Sequence, residues 1–400
     1  MTHVLVAGVS TRAAAESAAR AGFAVTAIDA FGDLDQHPSV RGLWLAGNFR
    51  ARAAARAGQA VECDAVVYLS SFENHPNAIA TLAQGRALWG NAPAVVRRVR
   101  DPQLLAEALR ARGFPAPRVY VGSGFSRTNG FSRTSDDKVR LKPDPTYAVD
   151  KWLVKPLRSG GGQRIRTWDP AGSLPRGCYL QEFIDGPSGS VVFVAAGGRA
   201  VPLAVSRQLV GEPAFGAEGF QYCGNILTAA PEHDAAELSR DETFVEAAHA
   251  LAQTVVEEFG LVGVNGIDFI TRDGAPCAIE VNPRWCASME LVERAYDLSV
   301  FAAHASACAS GRLPEFDLVR ARRGARAVGK AILYARRDVV VDDTETWRTK
   351  DDEVRDIPRA GEHISAGRPV CTVFATGRDA ATCHDALAQR AARVYARLDA

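Results

Sequence analysis

Around residue 275 the chain sets three oxygen-donor side chains in apolar, strand-like sequence, NGIDFI, TRDGAP and CAIEVN. Glu280 and Asn282 are two residues apart, so in a strand both leave the same face. Asp268 would join them only if it lies opposite Glu280. Paired positions must then sum to 548, which centres the loop on Gly274. A loop of three or five residues does this. A two-residue Asp273-Gly274 turn of type I′ would send Asp268 to the other face and sink its assignment as a metal ligand. The expectation is therefore a three- or five-residue loop, with Asp268, Glu280 and Asn282 converging as a hard cation such as Mg²⁺ requires. An edge hairpin with outward polar residues is the plainer alternative, but these side chains stand among apolar neighbours. Arg284 follows Pro283 directly, where its guanidinium could reach an oxygen the cation also holds and neutralise a transferring phosphoryl group. Otherwise it is a surface arginine.

A second segment, KWLVKPLRSGGGQRI, has Lys155 closing a strand and Ser159-Gly160-Gly161-Gly162 opening a loop without side-chain obstruction. Backbone N–H groups of such a loop can fold over phosphates while the lysine supplies a point charge. Alone, three glycines also suit an ordinary hairpin turn. About 23 residues later, CYLQEFIDG is an apolar strand with Gln181 and Glu182 at its end. Such an end can offer backbone donors and acceptors to a purine edge beside an apolar slot. Two other patterns compete. Residues 324–331, GARAVGKA, have P-loop spacing, but Ala331 replaces Ser/Thr and strand-like sequence follows where a P-loop opens a helix. Gly8 with Asp29 suits a dinucleotide fingerprint, and would imply a nicotinamide-dependent oxidoreductase. Yet Gly8, Ser10 and Ala13 keep one of its three glycines.

These residues need an α/β scaffold to position them. HVLVAGVSTRAAAESAARAGFAVTAIDAF has βαβ grammar, followed by a strand in DAVVYLSSF, a helix near 77–89 and a short strand, PAVVRRV. Residues 1–97 thus read as an open parallel α/β layer. SSFENHPN, at a strand's C-terminal end, is a candidate substrate wall, with helix capping by Asn74 or Asn77 as the competing role. DPQLLAEALRARGFPAP reads as a helix started by Asp-Pro and stopped by Gly113. Residues 122–150 carry GFSRT twice in polar sequence and read as a flexible surface insertion, with a phosphate-binding basic loop as the alternative. Strands are expected at 151–156, 178–184, 190–197 and 200–211, and a long helix at 241–259. The hairpin follows, then helix over 288–311. From GKAILYA onward the chain reads as a small β unit, with PRAGEHISAGRPVCTVFATG as a hairpin, closed by the helix DALAQRAARVYARL. The parts are then 1–97, 98–328 and 329–400.

A chain of 400 residues has room for these two or three domains. Lys+Arg 47 against Asp+Glu 46 leaves a net charge of +1, too little basic excess for a nucleic-acid protein. No apolar run approaches the ~20 residues of a membrane helix, and MTHVLVAGVSTR lacks the basic start of a signal peptide. Eight cysteines (63, 178, 223, 277, 286, 308, 371 and 383) show no CxxC and read as reduced core residues of a cytoplasmic protein.

Taken in order, the Lys155 and glycine-loop segment, the QEFI strand and the D…EVNPR hairpin resemble the ATP-grasp superfamily from about Val99 to Arg284. The resemblance implies a two-lobed ATP-grasp domain, preceded by an α/β domain and followed by a small β-rich one. It also implies ATP and Mg²⁺ (or Mn²⁺) as cofactors and a carboxylate–amine ligase working through an acyl phosphate. By the same correspondence Asp268, Glu280 and Asn282 hold metal. Lys155, Ser159 and Gly161 hold phosphates, Gln181, Glu182, Phe183 and Ile184 line adenine, and Arg284 steadies the transferring group. The family's second ATP lysine is missing from Arg100-Asp101-Pro102, with Arg100 as stand-in, and Ser188 or Ser190 replaces the usual ribose carboxylate. SRQLVG…FQYCGN and DIPRAGEHISAGRPVCTVFA look closest to tyramine–glutamate ligases of methanofuran-type synthesis, with Arg207 contacting the substrate carboxylate or γ-phosphate. An ATP-grasp carboxylase, a D-alanine-type ligase and a non-catalytic ATP-binding regulator are the alternatives. Expected partners are a small carboxylate and an amine, with no nucleic acid or membrane. A homodimer follows from fold analogy.

Overall fold

The computed structural model describes residues 1–45, 49–121, 151–228, 235–350 and 353–399. The GFSRT repeat segment, 122–150, lies outside the described residues. The first sheet is built from β1 (His3–Ala7), β2 (Ala24–Asp29), β3 (Val40–Trp44), β4 (Ala65–Tyr68) and β5 (Ala87–Leu88). All are parallel, in the order β3-β2-β1-β4-β5. Helices α1 (Arg12–Arg20), α2 (Ala51–Gly58), α3 (Pro76–Leu82) and α4 (Pro93–Val99) connect them. The runs VLVA of β1 and AVVY of β4 are buried along their length, as strands covered on both faces must be. Strand order reverses between β1 and β4, which opens a crevice at their carboxyl ends.

Three expectations are corrected here. PAVVRRV is helix α4 and not a strand: Pro93 fits its first turn, and Val96 and Val99, three apart, are buried. β3 was not foreseen, because its half-exposed sequence lacks an apolar run. The helix expected to 89 stops at Leu82, and Gly85 at φ +74° turns the chain into β5.

The chain continues with α5 (Pro102–Ala111), where the Asp101 side chain accepts from the amides of Gln103 and Leu104. β6 (Val119–Val121), β7 (Trp152–Pro156), β8 (Arg166–Thr167) and β9 (Cys178–Glu182) form a small antiparallel sheet ordered β6-β9-β7-β8. β10 (Ser188–Ala196), β11 (Arg199–Val210) and β12 (Tyr222–Leu227) follow, then α6 (Ala235–Phe259), β13 (Gly263–Arg272) and β14 (Ala275–Asn282). The helix expected over 288–311 is two, α7 (Met289–Tyr296) and α8 (Val300–Ser310), broken at Asp297, whose φ is +50°. The rest comprises α9 (Leu318–Arg322), β15 (Ala327–Tyr334), β16 (Val339–Val341), α10 (Glu345–Lys350), β17 (Val354–Arg355), β18 (Glu362–Ile364), β19 (Pro369–Gly377) and α11 (Ala380–Leu398).

An eight-stranded sheet, β14-β13-β10-β11-β12-β15-β19-β17, carries the C-terminal β-rich part on the edge of the second lobe. Gly329 and Lys330 lie within β15, so the P-loop-like spacing is strand sequence. The hairpin expected at 358–377 does not form, because β18 pairs with β16 while β19 pairs with β15 and β17. Residues alternate along the strands. Val191, Phe193, Ile267 and Phe269 pack on α6, while Val192, Val194 and Val264 pack with α8 and with the alanines of α1. All eight cysteines are unpaired.

Candidate functional site

The hairpin between β13 and β14 turns on Asp273 and Gly274, with φ of +52° and +76°, so its loop has two residues and not three or five. Arg272 pairs with Ala275 and Phe269 with Ala278, but Asp268 pairs with Glu280. The missing step is supplied by a bulge at Ile279, one extra residue on β14 that restores the facing that loop length alone would have destroyed. Asn282, two residues on, stands opposite Gly266.

The two facing carboxylates are half-buried and held differently. Asp268 accepts from Gln208 Nε2 at 2.8 Å and from Asn282 Nδ2 at 2.9 Å. Burial, then the charge of Glu280, pushes its carboxyl up to about 7. Burial acts in the same direction on Glu280, but the cations Arg100 and Lys155 outweigh it and hold that carboxyl below its usual value. Arg100 hydrogen-bonds Glu280 and also reaches the Val281 carbonyl at 3.2 Å and Asn74 Oδ1 at 3.2 Å. Arg284 donates to Glu73 Oε1 at 2.8 Å, to the Trp285 carbonyl at 2.9 Å and to Asn282 Oδ1 at 3.1 Å. A continuous chain thus runs Glu73–Arg284–Asn282–Asp268–Gln208. Its first member comes from the loop after β4.

Lys155 ends β7 with 5% exposure, donating to Gln181 Oε1 at 3.2 Å beside the ring of Tyr179. Among the described residues no carboxylate pairs with it, and its charge bears on both Asp268 and Glu280. The glycine loop is docked on the large sheet. Gly161 O accepts from Tyr222 N at 3.1 Å, and a Cβ on Gly162 (φ +74°) would lie 1.7 Å from the Phe220 carbonyl. Only glycine fits there. The Ser159 carbonyl accepts from Asn74 at 3.3 Å and Arg100 at 3.4 Å. SSFENHPN therefore does wall the site, through Glu73 and Asn74. The capping role is not taken, since α3 has no side-chain cap.

Three expected residues are placed otherwise. Arg207 alternates with Ser206 and Gln208 on β11, so it leaves the opposite face of the sheet, exposed and away from Asp268. Ser188 donates to Gln208 Oε1 at 2.7 Å and so belongs to the Asp268 chain, not to a ribose pocket; Ser190 bonds Ser206. Glu182 accepts from Arg272 at 2.6 Å and from the Arg118 amide at 2.9 Å, and its own N–H donates to the Arg118 carbonyl at 2.9 Å, so neither its carboxylate nor its N–H is left for a ligand. Phe183 donates its N–H to the Lys151 carbonyl at 3.0 Å, and Ile184 is buried beside it. Asp29 accepts from Thr11 and from the amides of Phe31 and Gly32. Both its oxygens are filled by its own chain, which removes the ribose ligand a dinucleotide site needs. Gln208 and Glu73 were not foreseen, because a glutamine in a strand and a glutamate in a loop carry no spacing signal of their own.

Residues 99–288 match the family model of the ATP-grasp domain. That segment is an ATP-grasp domain. The whole fold resembles the L-amino acid ligase from Bacillus licheniformis, with TM-score 0.68, 15% identity, and coverage of 98% of this chain and 97% of that one. It also resembles N5-carboxyaminoimidazole ribonucleotide synthetase from Thermotoga maritima, with TM-score 0.64, 16% identity and coverage of 99% and 98%. A biotin carboxylase from Campylobacter jejuni gives TM-score 0.66 at 12% identity, over 94% and 88%. At these identities the likeness is one of fold. In sequence, 121 residues are 28% identical to an uncharacterized protein of Methanocaldococcus jannaschii, spanning 30% of this chain and 28% of that protein's length.

The ATP-grasp domain's donor set fits a divalent cation. No group of three His, Cys, Asp or Glu side chains with metal-binding geometry occurs among the described residues. Here two facing carboxylates stand beside the Asn282 amide, whose Nδ2 donates to Asp268 and whose oxygen accepts from Arg284. Burial, then repulsion by Glu280, pushes Asp268 up, and a bound cation would relieve that repulsion. No described helix is long and apolar enough to cross a membrane.

Proposed function

We propose that the chain is an ATP- and Mg²⁺-dependent carboxylate–amine ligase. The observation that carries this reading is a buried lysine with no carboxylate partner among the described residues, beside two half-buried carboxylates that oppose one another. An isolated cation and a repelling acid pair are each costly to bury, and Mg²⁺ with a polyphosphate satisfies both. Adenine would lie along the backbone of Gln181–Ile184. The phosphates would lie beneath the Ser159–Gly162 loop against Lys155, with Arg100 nearby. Mg²⁺, or Mn²⁺, would be held by Asp268, Glu280 and Asn282, and when bound it neutralises phosphate charge.

A substrate carboxylate oxygen attacks the γ-phosphorus and ADP leaves. The amine nitrogen then attacks the acyl carbon, forming C–N as C–O breaks and phosphate departs. Arg284, braced by Glu73, is oriented to stabilise the charge on the transferring group. The three parts 1–97, 98–328 and 329–400 would bring substrate to the crevice of the first sheet. Joining glutamate to an amine in methanofuran-type synthesis is the finer reading, supported by SRQLVG and FQYCGN in sequence; the exposed placement of Arg207 removes one contact it assumed.

The test is coupled ADP release with a panel of amino acids, each with amines or with hydroxylamine, which traps an acyl phosphate without an amine pocket. Carboxylate-dependent ADP release supports the ligase. No stimulation by any acid would sink it.

A further inference from the structure

At the carboxyl ends of β1 and β2 lies a second buried polar cluster that the reaction above does not use. Arg12, 1% exposed, pairs with Asp356 at 2.7 Å, Glu290 at 2.7 Å and Glu16 at 3.0 Å, with Asp35 at 3.6 Å. Lys330 Nζ pairs with the other Glu290 oxygen at 2.7 Å. Asp35 also accepts from the amides of Asp356 and Ile357, and Asp29 is filled as described. Arg294 stacks on Phe374 and lies 3.5 Å from Glu353.

Asp33 is the exception. It is 8% exposed, and its carboxylate has no hydrogen-bond or ion-pair partner among the described residues. Burial, and then the charges of Asp356, Asp29 and Asp35, push it well above the usual carboxylate range. The sealed side-chain atoms without partners are Gln36 Oε1, Glu73 Oε2 and Thr344 Oγ1. Asp33 is not among them, so its oxygens keep a path to solvent.

Six carboxylates (Glu16, Asp29, Asp33, Asp35, Glu290 and Asp356) here surround two central cations, Arg12 and Lys330. An unpartnered carboxylate at nine-tenths burial is stable only if it is protonated or if a cation completes it. Asp33 lies just past the carboxyl end of β2, the side on which open α/β sheets receive ligands. The cluster shares a face of the large sheet with the ATP-grasp site, since Lys330 pairs with Asn225 and Asn225 with Gln208, the residue that holds Asp268.

We propose that this cluster recognises a positively charged alkylammonium nitrogen of the substrate, with Asp33 as its counter-ion. This rests on the ligase reading for the word substrate, but not for the binding itself. An ammonium brings three donors to a carboxylate that lacks any. The other five acids are already bonded, so the residual negative charge concentrates at Asp33.

The test is thermal melting of the full chain with 1,4-diaminobutane, against 1,4-butanediol and against KCl at matched ionic strength, for wild type, Asp33→Asn and Asp33→Ser. The expected result is a saturable rise in wild-type Tm with the diamine alone, and a half-saturating concentration at least tenfold higher in both variants. Mg²⁺–ATP should stabilise all three proteins equally. Without ligand, Asp33→Asn should melt no lower than wild type, since it removes an unpaired charge. An equal diamine response in wild type and variants, the same shift from KCl, or no wild-type response would overturn the proposal. Loss of the Mg²⁺–ATP shift in every protein would instead fail the ligase reading and leave the diamine comparison intact.

Discussion

Two buried charge clusters stand on one face of the large sheet, and they are solved in opposite ways. Around Arg12 nearly every charge meets its opposite: Glu290 divides its two oxygens between Arg12 and Lys330. Around Asp268 the pairing is incomplete, although Arg100 pairs with Glu280 and Arg284 with Glu73. Asp268 leans on two amide groups, Lys155 on a third, and Glu280 is steadied by Arg100 from the neighbouring helix end. A paired network gains by closing. An unpaired one is stable only if something else completes it, which under the proposed function would be a polyphosphate with its cation. Asp33, at the rim of the closed cluster, repeats the unpaired arrangement for a ligand of the opposite sign.

The comparison breaks most visibly under Glu280→Gln. Turnover should fall by on the order of 10³-fold or more with the circular dichroism spectrum unchanged. Glu290→Gln should do the converse. It leaves buried Lys330 without its ion-pair partner and removes one of those of Arg12, so stability in urea should drop by roughly 3–5 kcal/mol. Equal stability losses from the two substitutions would erase the distinction. Lys155→Ala is a smaller test. It should weaken ATP use, in KM or kcat, while leaving the melting temperature unchanged or raised, because a lone buried charge is removed.

Acid separates the clusters by sign. Asp268 is pushed up to about 7 against an unfolded value near 3.9. The folded state therefore binds the extra proton between those values, and this group's contribution to stability rises as pH falls from about 7 to about 4. Glu290 lies well below its ordinary value, through Arg12 and Lys330 overcoming burial. Its contribution is fully present above the unfolded value near 4.3 and is lost as pH falls further. Urea midpoints across pH 3–8 should show the first effect vanish in Asp268→Asn and the second in Glu290→Gln.

Much of the ATP-grasp site was legible because its residues are local. The two-residue period puts Glu280 and Asn282 on one face wherever the strand lies, and Lys155 with its glycines needs only the strand it closes. What failed was whatever depended on register or distance. Ile279 is an apolar residue in an apolar strand, so nothing marks it as a bulge, yet it rescues the facing of Asp268 that the two-residue turn would have lost. Arg207 was one residue out of phase with the face that matters. Glu73 meets Arg284 across 211 positions, and Arg12 meets Glu290 across 278. The strand that became α4 shows the other limit, since seven residues with valines three apart fit either period.

Coupled ADP release, run with the amino-acid panel and hydroxylamine for wild type and Glu280→Gln side by side, tests the central claim most directly. The account predicts release that depends on one carboxylate and on Mg²⁺ in the wild type, and none above background in the variant. Carboxylate-stimulated release that survives Glu280→Gln, or a wild type that no carboxylate stimulates, would contradict it.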